Sequence, residues 1–277
     1  MIAFYAMGGG WGHLTRIKTF IQNQGIHAPF KVITANREVA TFFDEQSVLY
    51  ISADEQSTTE ELASNLEKAL EPFQFTACYV DVFPNGILGE LSMELFPGAA
   101  FYYLGRRLRW DHYQPLVRSS VEFNTAFLFE ELEAPHQAFI ERHSRQVARI
   151  QLDYPAPDLS FSHALLDSDQ PIWLIVHTSR QEEVTLLLDH ARDIASIENA
   201  HPCFVVLSDT RTERPGVHWL SGQNPLNWYP NVDRIFTAAG FNSWHQLAPW
   251  RSKHTCLPFP RKFDDQHWRS QQKNAGY

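Results

Sequence analysis

Short apolar runs alternate with amphipathic segments along almost the whole chain. The runs lie at residues 2–6, 30–34, 77–82 and 99–103, and then at 171–177, 203–207, 217–220, 234–237 and 254–257. Most are rich in β-branched or aromatic residues and are bounded by residues that break regular structure, which is typical of buried strands. Two longer segments, 59–70 and 183–196, place their apolar residues on one helical face. Apolar strands separated by helices predict parallel sheets covered on both faces.

One segment interrupts this alternation. Residues 153–158, with the sequence DYPAPD, carry two prolines and no periodicity, so they predict an interdomain linker. A length of 277 residues fits one large domain or two modest ones. We therefore expect an α/β fold of two doubly wound Rossmann-like domains facing a cleft, one over residues 1–157 and the other over 158–277.

The charge balance restricts the partners. Lys and Arg total 23 against 32 for Asp and Glu, which gives a formal net charge of −9. Such an acidic chain does not attract a phosphate backbone at long range, so we expect no nucleic-acid partner. A local basic cluster exists at Arg106, Arg107 and Arg109, and it fits a solvated loop as well as a ligand patch.

Several features of other protein classes are missing from the sequence. The three cysteines lie far apart without CxxC pairing, which favours a reducing compartment. The apolar start is too short for a signal peptide, and no apolar run approaches the roughly 20 residues of a transmembrane helix. These observations predict a cytoplasmic protein without a transmembrane segment. The histidines show no ligand-like spacing, so we expect no bound metal and no cofactor.

A glycine-rich turn follows the first predicted strand. Residues 7–16 read MGGGWGHLTR, and the glycines are Gly8, Gly9, Gly10 and Gly12. Glycines let the backbone turn tightly and bring a ligand close to the N–H groups that open a helix. The dinucleotide fingerprint is absent, because its third glycine would fall at His13 and no acidic residue ends the second strand. No Gly-Lys-Ser/Thr follows, which excludes a P-loop. A tight turn without a ligand is the alternative.

Two side chains near this turn could carry catalysis. His13 directly follows the last glycine, where the helix dipole disfavours an imidazolium and suits a neutral general base. A capping or structural histidine is the alternative. Asp81 ends a predicted strand and so brings a carboxylate to the edge where open α/β sheets bind ligands, although it could simply cap its turn. Pro84 and Gly86 then predict a turn into a helix that carries Glu90.

The other informative region is residues 233–269. A strand ends at a Gly-Phe-Asn-Ser turn, and Asn242 or Ser243 is expected to cap the helix that follows. After a further strand and a Pro-rich loop, Asp265 and Gln266 open a last helix. Two successive helix N-termini at one side of a sheet suit a diphosphate and sugar hydroxyls. Ordinary helix capping would explain each motif by itself.

These segments together resemble the two-domain GT-B glycosyltransferases, specifically the group of glycosyltransferase family 28 that includes the peptidoglycan N-acetylglucosaminyltransferase. Residues 9–13 match the family's Gly-rich loop that ends in Gly-His. Residues 240–246 and 258–266 match a donor-binding stretch of the form GxNSxxE…P…DQ. The resemblance implies that the N-terminal domain binds an acceptor and that the C-terminal domain binds a nucleotide sugar, such as a UDP-sugar.

The resemblance also implies roles for individual residues. The expected activity is transfer of a sugar to a hydroxyl of a small-molecule or lipid-linked acceptor, with inversion and without a metal. His13 would deprotonate that hydroxyl, and we pair it with Asp81 as the candidate catalytic residues. The candidate acceptor-binding residues are Gly9, Gly10, Gly12 and Glu90. The candidate donor-binding residues are Ser179, Arg180, Gly240, Asn242, Ser243, Gln246, Asp265 and Gln266.

The sequence departs from the family pattern in three places. The glutamate that binds the donor ribose in the family is Gln246 here, which loses charge-assisted strength. The loop at residues 177–180 lacks the usual glycines, and Arg180 could compensate there as a phosphate cation. Little chain follows the last predicted helix, so the closing helix that often packs back on the first domain is expected to be short or missing. Two alternatives therefore stay open, a nucleotide-sugar-binding protein with impaired turnover and a sugar-nucleotide epimerase.

Overall fold

The computed structural model describes residues 1–8, 10–53, 56–118, 121–177, 180–211 and 214–272. The chain forms two compact units. Unit 1 comprises Met1–Asp153 together with the short segment Lys262–Asp264, and unit 2 comprises Tyr154–Arg261 and the chain from Asp265 onward.

Unit 1 is built on a sheet of seven parallel strands. The strands are β1 (Ile2–Tyr5), β2 (Phe30–Thr34), β3 (Val48–Tyr50), β4 (Ala77–Asp81), β5 (Ala100–Gly105), β6 (Phe123–Leu128) and β7 (Ser144–Arg149), in the order β3-β2-β1-β4-β5-β6-β7. The α-helices are α1 (Trp11–Asn23), α2 (Thr59–Leu70), α3 (Trp110–Tyr113) and α4 (Ala134–Arg142). Short 3-10 helices cover Arg37–Thr41, Glu45–Ser47, Met93–Leu95 and Gln114–Leu116.

Helices cover both faces of this sheet because successive strand residues point to opposite sides. On one face, α2 buries Leu62, Leu66 and Leu70 against strand residues that include Tyr5. Burying each such leucine contributes about 1.5–3 kcal/mol of transfer free energy. On the other face, Phe20 of α1 packs against aromatic rings of β4 and β6. The strand order reverses at β1, which pairs with both β2 and β4, so the turn after β1 lies at a topological switch point.

Unit 2 has a sheet of five parallel strands. They are β8 (Ile172–Val176), β9 (Cys203–Leu207), β10 (Val217–Leu220), β11 (Arg234–Ala238) and β12 (His254–Leu257), in the order β10-β9-β8-β11-β12. The α-helices are α5 (Gln181–Ile197), α6 (Pro225–Trp228), α7 (Phe241–Gln246) and α8 (Gln266–Gln272), and 3-10 helices cover Ala164–Asp167, Tyr229–Asn231 and Ala248–Lys253. The order reverses at β8, which pairs with β9 and β11 and places their carboxyl ends together.

The structure confirms the predicted strands with shifts of one or two residues at their ends, and it corrects two predicted helices. The predicted helix carrying Glu90 is wrong, because residues 82–92 form turns and loops without a helix. The predicted cap of α7 is also wrong, since Gly240 is the N-cap and Asn242 and Ser243 lie inside the first turn. No described helix is long and apolar enough to cross a membrane.

Candidate functional site

The switch point of unit 1 brings together three side chains from α1 and β4. His13 Nδ1 lies 2.6 Å from Asp81 Oδ2. Arg16 donates from Nε to Asp81 Oδ1 at 2.6 Å and from Nη2 to Asp81 Oδ2 at 2.8 Å. The Asp81 side chain is fully buried, whereas 12% of the His13 side chain is exposed. Asp81 therefore reaches a ligand only through His13.

The glycine-rich turn leaves room for the His13 ring. A Cβ atom built on Gly8 would lie 2.0 Å from His13 Nε2, so no side chain fits at that position while the ring stays in place. The Phe83 ring packs on the imidazole with a centroid distance of 5.7 Å. The Nδ1 edge is occupied by Asp81, which leaves Nε2 as the nitrogen that can exchange a proton with a ligand.

The charges around His13 favour a neutral ring. Burial lowers the pKa of His13, the hydrogen bond to Asp81 opposes this, and the positive charges of Arg16 and Arg106 lower the pKa further. Burial by itself would raise the pKa of Asp81, but Arg16 and His13 outweigh it and lower the pKa to about 2. An ionised carboxylate only accepts hydrogen bonds, so the proton of the neutral imidazole lies on Nδ1 and the lone pair on Nε2.

A strained turn fixes the end of β4. Val82 has a φ of +69°, which is costly for a β-branched residue. The Phe83 amide donates to the Asp81 carbonyl at 2.8 Å across this turn, and Tyr103 Oη donates to the Val82 carbonyl at 2.7 Å. His136 lies 3.2 Å from the same tyrosine oxygen through Nε2. The direction of the Asp81 side chain thus depends on buried contacts outside its own strand.

Glu90 occupies a separate buried position in unit 1. Its carboxylate accepts hydrogen bonds from the Ile87 amide at 3.0 Å, from the Leu88 amide at 2.7 Å and from the Tyr5 hydroxyl. Gly86 adopts a φ of +84°, and a Cβ atom there would lie 2.3 Å from Glu90 Oε1. Burial raises the pKa of Glu90, although these hydrogen bonds oppose the shift. The carboxylate holds its own loop in shape.

The remaining acceptor-side candidates lie in the turn after β1. Gly10 is the N-cap of α1, and a Cβ atom built there would have no described atom within 4 Å beyond Gly10 and its two chain neighbours. Gly12 lies in the first turn of α1. Gly9 lies outside the described residues.

Unit 2 gathers charged side chains around the N-terminus of α5. Glu183 receives two hydrogen bonds from Arg261, each 2.6 Å long, and lies 2.7 Å from His177 Nε2. Arg180 Nη1 lies 3.5 Å from Glu183 Oε1. The Arg180 backbone is strained, with a φ of +64°, and its side chain is 63% exposed. Ser179 lies outside the described residues.

The other donor-side candidates follow β11 and β12, which pair directly. Asn242 accepts a hydrogen bond of 3.0 Å from the Tyr154 hydroxyl, and Ser243 and Gln246 are half-buried on α7. Asp265 caps α8 by accepting the Trp268 amide at 3.0 Å.

Gln266 is buried, and its Oε1 accepts the Phe259 amide at 3.0 Å. The side chain therefore fixes the loop between β12 and α8. Helix α8 begins at Gln266 and is capped by Asp265, which confirms that these two residues open the last helix.

Three residues of these two sites were not predicted from the sequence. Arg16 could have been found, because a residue three positions after His13 lies on the same helical face. Glu183 and Arg261 are far apart in sequence, and nothing in the sequence indicated their pairing. Among the described residues, no group of three or more His, Cys, Asp or Glu side chains could hold a metal ion.

Similarity to known proteins appears at the level of structure. No protein-family model matches the chain, and no curated protein matches its sequence. UGT2 of Phytolacca americana, solved with UDP-2fluoro-glucose and pterostilbene, matches 99% of this chain and 83% of its own at 12% identity, with a TM-score of 0.61. MurG of Acinetobacter baumannii matches 99% of this chain and 82% of its own at 10% identity, with a TM-score of 0.51. The UDP-N-acetylglucosamine 2-epimerase of Rickettsia bellii matches 86% and 74% at 13% identity, with a TM-score of 0.51.

At these identities the similarity concerns the fold. The two parallel α/β units match structures of the GT-B type, which confirms the predicted α/β fold of two doubly wound domains.

Proposed function

We propose that the protein is a glycosyltransferase that moves a sugar from a nucleoside diphosphate sugar, such as a UDP-sugar, to a hydroxyl of a small-molecule or lipid-linked acceptor. The contact between His13 and Asp81 at the switch point of unit 1 carries this proposal. A neutral imidazole oriented by a buried carboxylate is the arrangement of a general base. His13 directly follows the glycine-rich turn after β1. That turn resembles the acceptor-binding loop of glycosyltransferase family 28.

In the proposed reaction, the acceptor hydroxyl gives its proton to His13 Nε2 while its oxygen forms a bond to the anomeric carbon. The bond between that carbon and the diphosphate oxygen breaks, and the nucleoside diphosphate leaves with the electron pair. Attack opposite the leaving group inverts the anomeric configuration. Asp81 stabilises the imidazolium that forms on His13, because the carboxylate is already ionised and hydrogen-bonded to Nδ1.

The donor diphosphate is proposed to bind unit 2. Arg180 and Arg261 lie beside the N-terminus of α5, where the helix dipole also favours an anion. The Arg180 cation and the positive end of the α5 dipole can stabilise the leaving diphosphate without a metal ion, whereas Arg261 is paired with Glu183 and orders this N-terminus. The further donor-side residues of the proposal are Ser179, Gly240, Asn242, Ser243, Gln246, Asp265 and Gln266. Gln266 contributes to the donor site indirectly, by fixing the loop between β12 and α8 through the Phe259 amide.

The acceptor is proposed to bind unit 1 along the turn that contains Gly9, Gly10 and Gly12. Glu90 serves this site indirectly, because its carboxylate is occupied by the backbone of its own loop and by Tyr5.

Nucleotide binding tests the proposal before an acceptor is known. Thermal unfolding is followed with increasing UDP, other nucleoside diphosphates, nucleotide sugars and adenosine as a control without phosphate. A ligand that binds the folded protein raises the melting temperature, and at about 100 times its Kd it adds about 2.7 kcal/mol. A concentration-dependent rise with a diphosphate or nucleotide sugar is expected. No response to any nucleotide would overturn the proposal.

Product analysis then separates the activities. The protein is incubated with each stabilising nucleotide sugar and a panel of hydroxyl acceptors, and the products are resolved by chromatography. A free nucleoside diphosphate together with a new glycoside supports the transferase. Conversion of the nucleotide sugar into its epimer identifies an epimerase instead, and binding without any conversion identifies a protein that has lost turnover.

Gln246→Glu tests the proposed contact with the donor ribose. A carboxylate accepts stronger hydrogen bonds from hydroxyls than an amide does, so the variant should bind the donor several-fold more tightly, which corresponds to about 1 kcal/mol. Calorimetric titration of wild type and variant with the same nucleotide measures this. Unchanged or weaker binding would show that Gln246 does not contact the ribose.

A further inference from the structure

Arg16 contacts both members of the His13–Asp81 pair and is 1% exposed. Its guanidinium makes a two-point contact with the Asp81 carboxylate, from Nε to Oδ1 at 2.6 Å and from Nη2 to Oδ2 at 2.8 Å. A planar guanidinium fixes the orientation of a carboxylate in this way, which a lysine ammonium cannot do. The Oδ2 atom that Arg16 holds is the same atom that contacts His13 Nδ1.

Arg16 also approaches the imidazole itself. Its Nη2 lies 3.3 Å from His13 Nδ1. A guanidinium has only donors, and Nδ1 carries the ring proton, so this approach is electrostatically unfavourable and becomes worse when the ring gains a second proton. Among the described residues, the charged groups that face His13 are Asp81 from β4, Arg16 from α1 and Arg106 from the segment after β5.

We infer that Arg16 is a positioning residue that sets the protonation state of His13. Without a counterion, a buried carboxylate in contact with a histidine would raise the pKa of the imidazole, and a ring that is already protonated before the reaction cannot accept a proton. With Arg16 paired to it, Asp81 orients the ring and fixes its tautomer while its charge is balanced. This inference rests on the proposed function for its catalytic meaning, whereas the protonation of His13 can be measured without any substrate.

The first test uses the wild-type protein. Histidine is labelled with ¹⁵N, and the His13 signals are identified by their loss in His13→Gln. At pH 7 the ring is expected to be neutral, with the proton on Nδ1. An imidazolium, or a ring protonated only on Nε2, would overturn the inference, and this result needs no Arg16 variant to fold.

The second test removes the charge of Arg16. Titration of the His13 signals should show a pKa about one unit or more higher in Arg16→Met than in wild type, since the Asp81 charge is then unbalanced. Arg16→Lys keeps the charge and should bring most of this shift back. Arg37→Met, at an exposed arginine that contacts Tyr50, is the matched control and should leave His13 unchanged. A folded Arg16→Met protein with an unchanged His13 pKa would contradict the inference.

Steady-state kinetics of Arg16→Lys measure the effect of the two-point contact on turnover. In Arg16→Lys the ring stays neutral but the carboxylate loses its two-point contact, so kcat should fall at least tenfold while the donor KM stays within about twofold. Recovery of the full kcat in Arg16→Lys would contradict the positioning role. If no nucleotide sugar is turned over by wild type, the proposed function fails, and the two titrations still decide the role of Arg16.

Discussion

The His13 ring occupies the space where a side chain at position 8 would lie. Gly8→Ala would place a Cβ atom 2.0 Å from Nε2, so the ring must move away from its contact with Asp81. Displacing a reacting group by about 1 Å can cost a factor of about 10² in rate. We therefore expect kcat to fall by about 10² in Gly8→Ala while nucleotide binding to unit 2 persists.

Steady-state rates and calorimetric titration of the donor measure the two effects. Gly10→Ala is the comparison, because its Cβ position is open and only the acceptor KM should respond. A Gly8→Ala protein with a wild-type kcat would show that the position of the ring does not matter for turnover.

The sequence predicted the two candidate catalytic side chains, but it did not predict the contacts that hold them in place. His13 was found because it follows the last glycine at a helix N-terminus, and Asp81 because it ends an apolar strand. Their contact could not be predicted, since it depends on β1 and β4 being neighbours in the sheet. The pairing of Glu183 with Arg261 likewise depends on tertiary structure.

The helices and strands were predicted where apolar character is continuous. Three strands of unit 1 were not predicted from the sequence: β3, β6 and β7. Of these, β3 and β7 form the two edges of the sheet. In β7 most side chains are polar, so no buried run appears. The helix predicted to carry Glu90 failed because Gly86 and Gly89 both adopt a φ of +84° and the Glu90 carboxylate binds the loop amides. Those contacts replace helical hydrogen bonds.

Arg180, at the N-terminus of α5, combines a strained backbone with a side chain that is proposed to bind the donor diphosphate. Arg180 has a φ of +64°, and glycine adopts such a conformation without the steric cost of about 1–2 kcal/mol. Arg180→Gly should therefore raise the melting temperature of unit 2 slightly, or leave it unchanged if the gain in unfolded-state entropy offsets the relief. The loss of the cation should weaken diphosphate binding about tenfold or more.

Asn199→Gly is the matched control for Arg180→Gly. Asn199 follows the other end of α5 and also has a positive φ, of +52°. The Asn199→Gly variant should change only the melting temperature, because Asn199 contributes no cation to the donor site. Calorimetric titration with a nucleoside diphosphate compares the two variants, and equal affinities in both would exclude Arg180 from the donor site.

The free energy of unfolding of the protein should depend on pH through the buried, neutral His136. Burial, together with the charges of Arg107 and Arg106, lowers the pKa of His136 to about 3. The unfolded chain binds this proton near pH 6.5, so the stability that His136 contributes is present above pH 6.5 and is lost as the pH falls towards 3. Each such proton costs about 1.4 kcal/mol per pH unit in that window.

His136→Phe removes the titration and keeps a ring that can stack on Trp110, as the imidazole does at 4.4 Å. Between pH 6.5 and 5, the free energy of unfolding of wild type should fall by about 2 kcal/mol more than that of the variant. Urea unfolding at the two pH values measures this difference. His27→Phe, at an exposed position, is the control and should behave as wild type. Equal losses in His136→Phe and wild type would contradict the assignment of a neutral buried His136.

At the scale of the whole chain, two α/β units could be predicted from the sequence because each has its own series of apolar strands. We propose that His13 of unit 1 acts as the base of sugar transfer. The initial rate of nucleoside diphosphate release, with donor and acceptor, tests this role in wild type, His13→Gln and the exposed control His27→Gln. We predict a fall in kcat of about 10²–10⁴ for His13→Gln, with an unchanged Kd for the donor and a wild-type rate for the control. A His13→Gln protein that turns over within about twofold of wild type would show that His13 is not the base.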